Sequence, residues 1–154
     1  MNPNSSAMQC GLASWGLSFI GAEAPKALRE AAQSENPAIK TAAIAALGEQ
    51  IQSLGDEDAR NIVIKALDDP AFEVRAEATT LIGKLNDPNW AKSLLIKKLT
   101  DSNDDVRKNA ALSLMKLKAT ETIDTLQQVS LLEKDTKVTN VFKLVINQLK
   151  ELLI

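Results

Sequence analysis

Residues 67–85 read LDDPAFEVRAEATTLIGKL, and residues 99–117 read LTDSNDDVRKNAALSLMKL. The two stretches agree at seven of nineteen positions, 32 residues apart. A chain that repeats itself at this period must build the same local structure more than once. Anchoring on the shared Val-Arg pair extends the alignment both ways. Ile39-Lys40, Val74-Arg75, Val106-Arg107 and Val138-Thr139 occupy equivalent places. Four residues beyond each anchor stand Ala43, Ala78, Ala110 and Phe142, and eight beyond stand Leu47, Ile82, Leu114 and Ile146. Offsets of four and eight fall on one side of an α-helix. The segment before each anchor repeats as well. Ala24, Ala27, Leu28 and Ala32 match Ala59, Ile62, Val63 and Leu67. They match in turn Ala91, Leu94, Leu95 and Leu99, then Ile123, Leu126, Gln127 and Leu131. This i, i+3, i+4, i+8 spacing is again a helical face. Each unit is therefore two amphipathic helices, A and B, and since one pair cannot cover both its faces, several must stack.

Chain breaks fall where helix ends need them. Asn36-Pro37, Asp69-Pro70 and Asp87-Pro88 each put a capping side chain before proline at an expected first helical position. Asp101 and Asp135 can cap where proline is missing. In SLGDED, residues 53–58, a glycine turn precedes an acidic helix start. The predicted A helices lie near 24–33, 57–67, 88–99 and 120–132, and the B helices near 37–52, 70–86, 103–117 and 136–152. No stretch alternates like a strand. The expected fold is all-α, a right-handed α-solenoid of about four helix pairs over residues 23–154, in units 23–54, 55–86, 87–118 and 119–154. Residues 1–22 form a separate N-terminal segment. Within it Trp15-Gly16 stands 32 before Leu47-Gly48, so residues 7–20 read as a B-like half unit.

Composition narrows the chemistry. The 154 residues contain no histidine and one cysteine, Cys10. Ser-His-Asp systems and His metal sites are thereby removed. A lone thiol makes no intrachain disulfide, which suits a reducing compartment, and Cys10 reads as small apolar filler rather than a nucleophile. Residues 5–22 are too polar for a membrane span and lack a basic leader, so the expected location is cytoplasmic and no membrane partner is expected. Net charge is −2, split between 7 Lys/Arg against 12 Asp/Glu in residues 1–87 and 11 against 8 in residues 88–154. That dipole is too mild to hold nucleic acid by itself. Lys92, Lys97, Lys98, Lys108, Lys116 and Lys118 read as a solvated face, and Trp90 as an anchor between helices. Carboxylates cluster at turns and helix starts, where capping accounts for them, and Gly11, Gly16 and Gly21 match no phosphate loop. No catalytic, cofactor or metal residue is assigned.

Two-helix units of about 32 residues, with Asp in the turn, Val-Arg opening the second helix and Ala-x-x-x-Leu/Ile-Gly inside it, resemble HEAT repeats. The short form is similar to the HEAT-like repeats of the phycobilisome-lyase type. DPAFEVRAEATTLIGKL and DSNDDVRKNAALSLMKL match best, NPAIKTAAIAALGEQ matches well, and KDTKVTNVFKLVINQL departs with Thr139, Phe142 and Asn147. The resemblance implies a structural ladder between neighbouring turns, carried here by Asp69, Arg75, Asp101 and Arg107. It has a physical basis: an arginine early in a helix opposes the helix dipole, and a nearby carboxylate offsets that.

Function is then expected on surfaces. Offsets +2, +6 and +9 from the anchor mark the B-helix face away from the core stripe. On it Thr80, Lys108, Leu112, Met115 and Leu144 form a candidate partner-binding groove, the alternative being packing between adjacent B helices. The last helix carries Val141, Leu144 and Leu152 beside its core stripe, a candidate face for association with a second copy or another subunit. The leading expectation is a non-catalytic adaptor or scaffold that grips a protein partner. The resemblance implies the alternative, an accessory subunit or chaperone for attaching or removing phycobilins on phycobiliproteins.

Overall fold

The structure, a computed structural model, describes residues 25–85 and 88–154. The predicted half unit at 7–20, Cys10, Trp15 and the Asp87 cap lie outside the described residues. The chain divides into two compact units, residues 1–81 and 82–154. Among the described residues all regular structure is helical.

In the first unit, α1 (Pro25–Ala31) packs on α2 (Pro37–Leu54), and α2 packs on α3 (Glu57–Ala66). Asn36 caps α2, its Oδ1 accepting the amides of Ala38 at 2.9 Å and Ile39 at 3.5 Å, with Pro37 opening the helix. Gly55, at φ 63°, ends α2, and Asp56 caps α3 by accepting the Ala59 amide at 3.0 Å. The B helix α4 (Phe72–Ile82) starts two residues later than expected. Pro70 is therefore not its first residue, and Asp69 Oδ1 instead accepts the Ala71 amide at 2.9 Å to shape the turn.

In the second unit α5 (Pro88–Lys98) packs on α6 (Asp104–Lys116), α6 on α8 (Thr136–Glu151), and α7 (Ile123–Leu132) on α8. The cap of α6 is Asn103 rather than Asp101. Asn103 Oδ1 accepts from Asp105 and Val106, while Asp101 Oδ1 accepts the Asn103 amide at 3.0 Å. Asp135 caps α8 as its side chain predicts. Lys118, at φ 52°, turns the chain after α6, and a 3-10 turn at Thr120–Thr122 leads into α7.

The predicted stripes are largely the observed core. Val74, Ala78, Ile82, Val106, Ala110, Leu114, Val138 and Phe142 are fully buried, as are Leu28, Val63 and Leu95 on A helices. Each buried Leu or Ile contributes about 1.5–3 kcal/mol. Three departures stand out. Ile39 is 45% exposed, and Ala27 is exposed at the start of the described chain. The last A helix is displaced by one residue from the 32-residue register. Leu126 is fully buried where the repeat expects Gln127, Thr122 is buried beside it, and Leu131 is 86% exposed.

Close approaches mark both units. A Cβ added at Gly48 would lie 2.5 Å from Leu81 Cδ1, and one added at Gly83 would lie 2.8 Å from Ser113 Cα. Gly83 lets neighbouring backbones come nearer than a side chain would allow, whereas at Gly48 the neighbour is the end of the Leu81 side chain.

Candidate functional site: turns and B-helix faces

The turns before α4 and α6 are each held by an arginine of the helix that follows. Arg75 Nη1 donates to the carbonyls of Asp69 at 2.9 Å and Pro70 at 3.1 Å. Arg107 Nη1 does the same with Asp101 at 2.9 Å and Ser102 at 3.2 Å. Arginine here restrains its own turn while cancelling carbonyl charge. The remaining guanidinium edge of Arg107 reaches onward: Nε donates to Glu133 Oε2 at 2.7 Å and Nη2 to Oε1 at 3.1 Å. This fork is a bidentate, largely buried ion pair. In the first unit Lys40 Nζ meets Asp69 Oδ2 at 2.6 Å in the same way.

Three acidic side chains therefore share one job 32 residues apart. Asp69, Asp101 and Glu133 each accept the amide two residues on, from Ala71, Asn103 and Asp135. Asp69 and Glu133 also receive the basic side chain of the preceding B helix. Burial pushes the Glu133 carboxyl up, but the Asp135 amide, the Arg107 guanidinium and the Lys134 amide outweigh it and hold the carboxyl below its usual range. Sequence reasoning missed Lys40 and Glu133. The signal was available, since Glu133 stands 32 after Asp101, but attention to aspartate passed over it. A-helix faces carry comparable links, Arg29 to Asp56 at 2.5 Å and Lys92 to Glu121 at 2.5 Å.

The predicted groove residues fall into both units. In the first, Thr80 is half-buried and its hydroxyl donates to the Ala76 carbonyl at 3.0 Å. In the second, Leu112 and Met115 are half-buried on α6, and Leu144 on α8 is 52% exposed. Lys108 is not a free cation for a partner. Asp105 on the same helix holds its ammonium at 2.7 Å, with Asp104 at 3.6 Å, and that hydrogen bond raises the lysine pKa despite some desolvation. On the terminal face Val141 is half-buried and Leu152 is 52% exposed. Trp90 is partly buried on α5.

A groove between α7 and α8 was not anticipated. Its volume is about 610 Å³, and Gln127, Ser130, Leu131, Lys143, Ile146 and Asn147 line it. Finding it from sequence would have required the shifted register of α7, which leaves Leu131 on the surface. Among the described residues no group of three His, Cys, Asp or Glu is placed to hold a metal. Nor is any described helix long and apolar enough to cross a membrane.

Comparison with known proteins agrees with this architecture. A profile for HEAT repeats matches residues 11–78 and 61–143. The bilin biosynthesis protein MpeU of Synechococcus sp. (strain WH8020) is 42% identical over 146 residues, 95% of this chain and 49% of MpeU. The chain thus spans about half the length of that curated relative. Among solved structures, an engineered protein from the Northeast Structural Genomics Consortium superposes with a TM-score of 0.55 at 20% identity. The match covers 80% of this chain and 61% of the other, and shows the fold alone. With its paired helices, its 32-residue period and a profile match over most of its length, this chain, an all-α solenoid, belongs to the HEAT repeat family.

Proposed function

We propose that this chain is a protein-binding HEAT subunit that works in bilin attachment or removal on phycobiliproteins, gripping its protein partner rather than performing the bond chemistry. The observation that carries the reading is the 42% identity to a bilin biosynthesis protein along 95% of the chain. Two features of the fold support it. The turns are locked by arginine and carboxylate, so the B helices offer a rigid face. That face presents Leu112, Met115 and Leu144 with little competing charge, because Asp104 and Asp105 already neutralise Lys108. Hot spots of binding concentrate in such apolar centres with satisfied polar rims. Val141, Leu144 and Leu152 supply an adjoining face for a second subunit.

The test mixes the protein with a bilin and an apo-phycobiliprotein. Stable capture of the apo-protein, lost in Leu112→Ser or Leu144→Ser at unchanged melting temperature, is the expected result. Covalent colour transfer by this chain alone would make it a lyase and overturn the non-catalytic half of the proposal. If neither capture nor transfer occurs, the chain is an adaptor for some other protein. The B-helix face supports that second reading, because it specifies a protein surface without specifying a pigment.

A further inference from the structure

Most of the charged side chains that span between helices of the second unit are committed. Arg107 pairs with Glu133 and Lys92 with Glu121, while within α6 Lys108 is held by Asp104 and Asp105. The groove between α7 and α8 is different. Among the described residues Gln127, Ser130, Lys143 and Asn147 spend none of their side-chain hydrogen-bonding capacity within the protein. They surround an apolar floor made by Ile146 and by Leu131, which is 86% exposed. An exposed leucine beside an unpaired ammonium and two unpaired amides is a complementary surface for something flat, apolar and acidic.

The repeat itself argues against a further helix as occupant. On α6, which packs against α8, the counterparts of Lys143 and Ile146 are Ala111 and Leu114, both fully buried. Alanine at that position lets the next helix come close. Lysine stands off a helix at the usual 8–10 Å interaxial distance, and its ammonium would be buried there without a partner. A groove of about 610 Å³ also lies within the 300–1,000 Å³ typical of small-ligand sites.

We infer that the α7–α8 groove binds a flat apolar carboxylate, with Lys143 pairing the carboxylate, Gln127 and Asn147 meeting polar edges, and Leu131 and Ile146 covering the apolar body. The bilin reading above supplies the ligand: an open-chain tetrapyrrole has propionate arms, lactam edges and a conjugated body, and the inference rests on that reading for its identity. No bond is made or broken in this step.

The experiment titrates the full chain with biliverdin and with biliverdin dimethyl ester, following absorbance and fluorescence quenching. Wild type should bind the acid more tightly than the ester. Lys143→Glu and Leu131→Glu should each weaken the acid at least tenfold, Lys143→Glu should weaken the acid far more than the ester, and Leu112→Ser, outside the groove, should move neither. Leu131 and Lys143 are exposed and Leu112 is half-buried, and circular dichroism checks that each variant folds. Binding that ignores Lys143 and Leu131 but falls with Leu112→Ser would overturn the location while leaving the bilin reading intact. Absence of saturable binding, with the apo-phycobiliprotein still captured, would overturn the inference and keep the partner reading. Loss of both would sink the two together.

Discussion

The two close-packed glycines should respond unequally to the same added methyl group. At Gly83 the new Cβ would sit 2.8 Å from Ser113 Cα. Ser113 Cβ and Oγ would lie nearer still, and ordinary carbon contacts lie near 3.5–4.0 Å, so the backbones must part by about 1 Å or more, and a gap of that size forfeits roughly half of each dispersion well around it. Overpacking of this kind costs about 1–3 kcal/mol. Alanine returns about 0.4–1 kcal/mol by restricting the unfolded chain, so Gly83→Ala should destabilise by about 1–2 kcal/mol. At Gly48 the obstacle is the far end of the Leu81 side chain, whose other atoms stand at 3.8 and 3.9 Å. A shifted leucine costs about 0.5–1.5 kcal/mol, and alanine in the interior of α2 recovers about 1 kcal/mol of helix propensity. Gly48→Ala should therefore be nearly neutral. Urea denaturation followed by circular dichroism reads both, through the midpoint at constant slope. A Gly83→Ala protein as stable as wild type, or a Gly48→Ala protein less stable than Gly83→Ala, would refute this account of how the helix pairs approach.

Arg107→Ala removes four hydrogen bonds but leaves Glu133 two backbone donors, so the loss should be about 2–3 kcal/mol rather than the most that breaking a buried pair can cost. Because the folded Glu133 carboxyl lies below its unfolded value, its contribution is complete above the unfolded pKa and disappears as pH falls through the folded one. Stability curves of wild type and Arg107→Ala should accordingly converge on acidification, and parallel curves would remove Glu133 from the ladder. Lys118→Gly should stabilise by about 1 kcal/mol, since lysine holds φ 52° at the end of α6, whereas Gly55→Ala at φ 63° should destabilise by a similar amount. Thermal melting of the two variants checks the signs. Leu144→Ser should weaken capture of an apo-phycobiliprotein without lowering the melting temperature, because half of that side chain already faces solvent; pull-down and calorimetry separate the effects.

Helix pairs were legible because each rests on local rules that agree. The four- and eight-residue offsets placed Val106, Ala110 and Leu114 on one buried stripe, and Asn36, Asp56 and Asp135 cap where their side chains predict. What escaped depends on geometry that residue identity does not advertise. Lysine is a poor signal for a left-handed turn, so Lys118 hid the one-residue slip that buries Leu126 and leaves Leu131 outside. Asp69 and Asp101 look like helix caps, yet α4 and α6 begin further on and these carboxylates shape the turns instead. For the candidate site, apolar B-helix positions were readable by phase, but the pairing of Lys108 and the α7–α8 groove depend on rotamers and on neighbours brought together by folding.

A fastening made only between one loop and the one after it carries no memory of how many loops came before. Since Lys40 with Asp69 and Arg107 with Glu133 are clasps at equivalent places in the repeat, a gene coding for such modules could grow or shrink by whole 32-residue lengths and keep each clasp between adjoining modules. Natural relatives of very different length would then be expected to differ by intact modules rather than by insertions inside them.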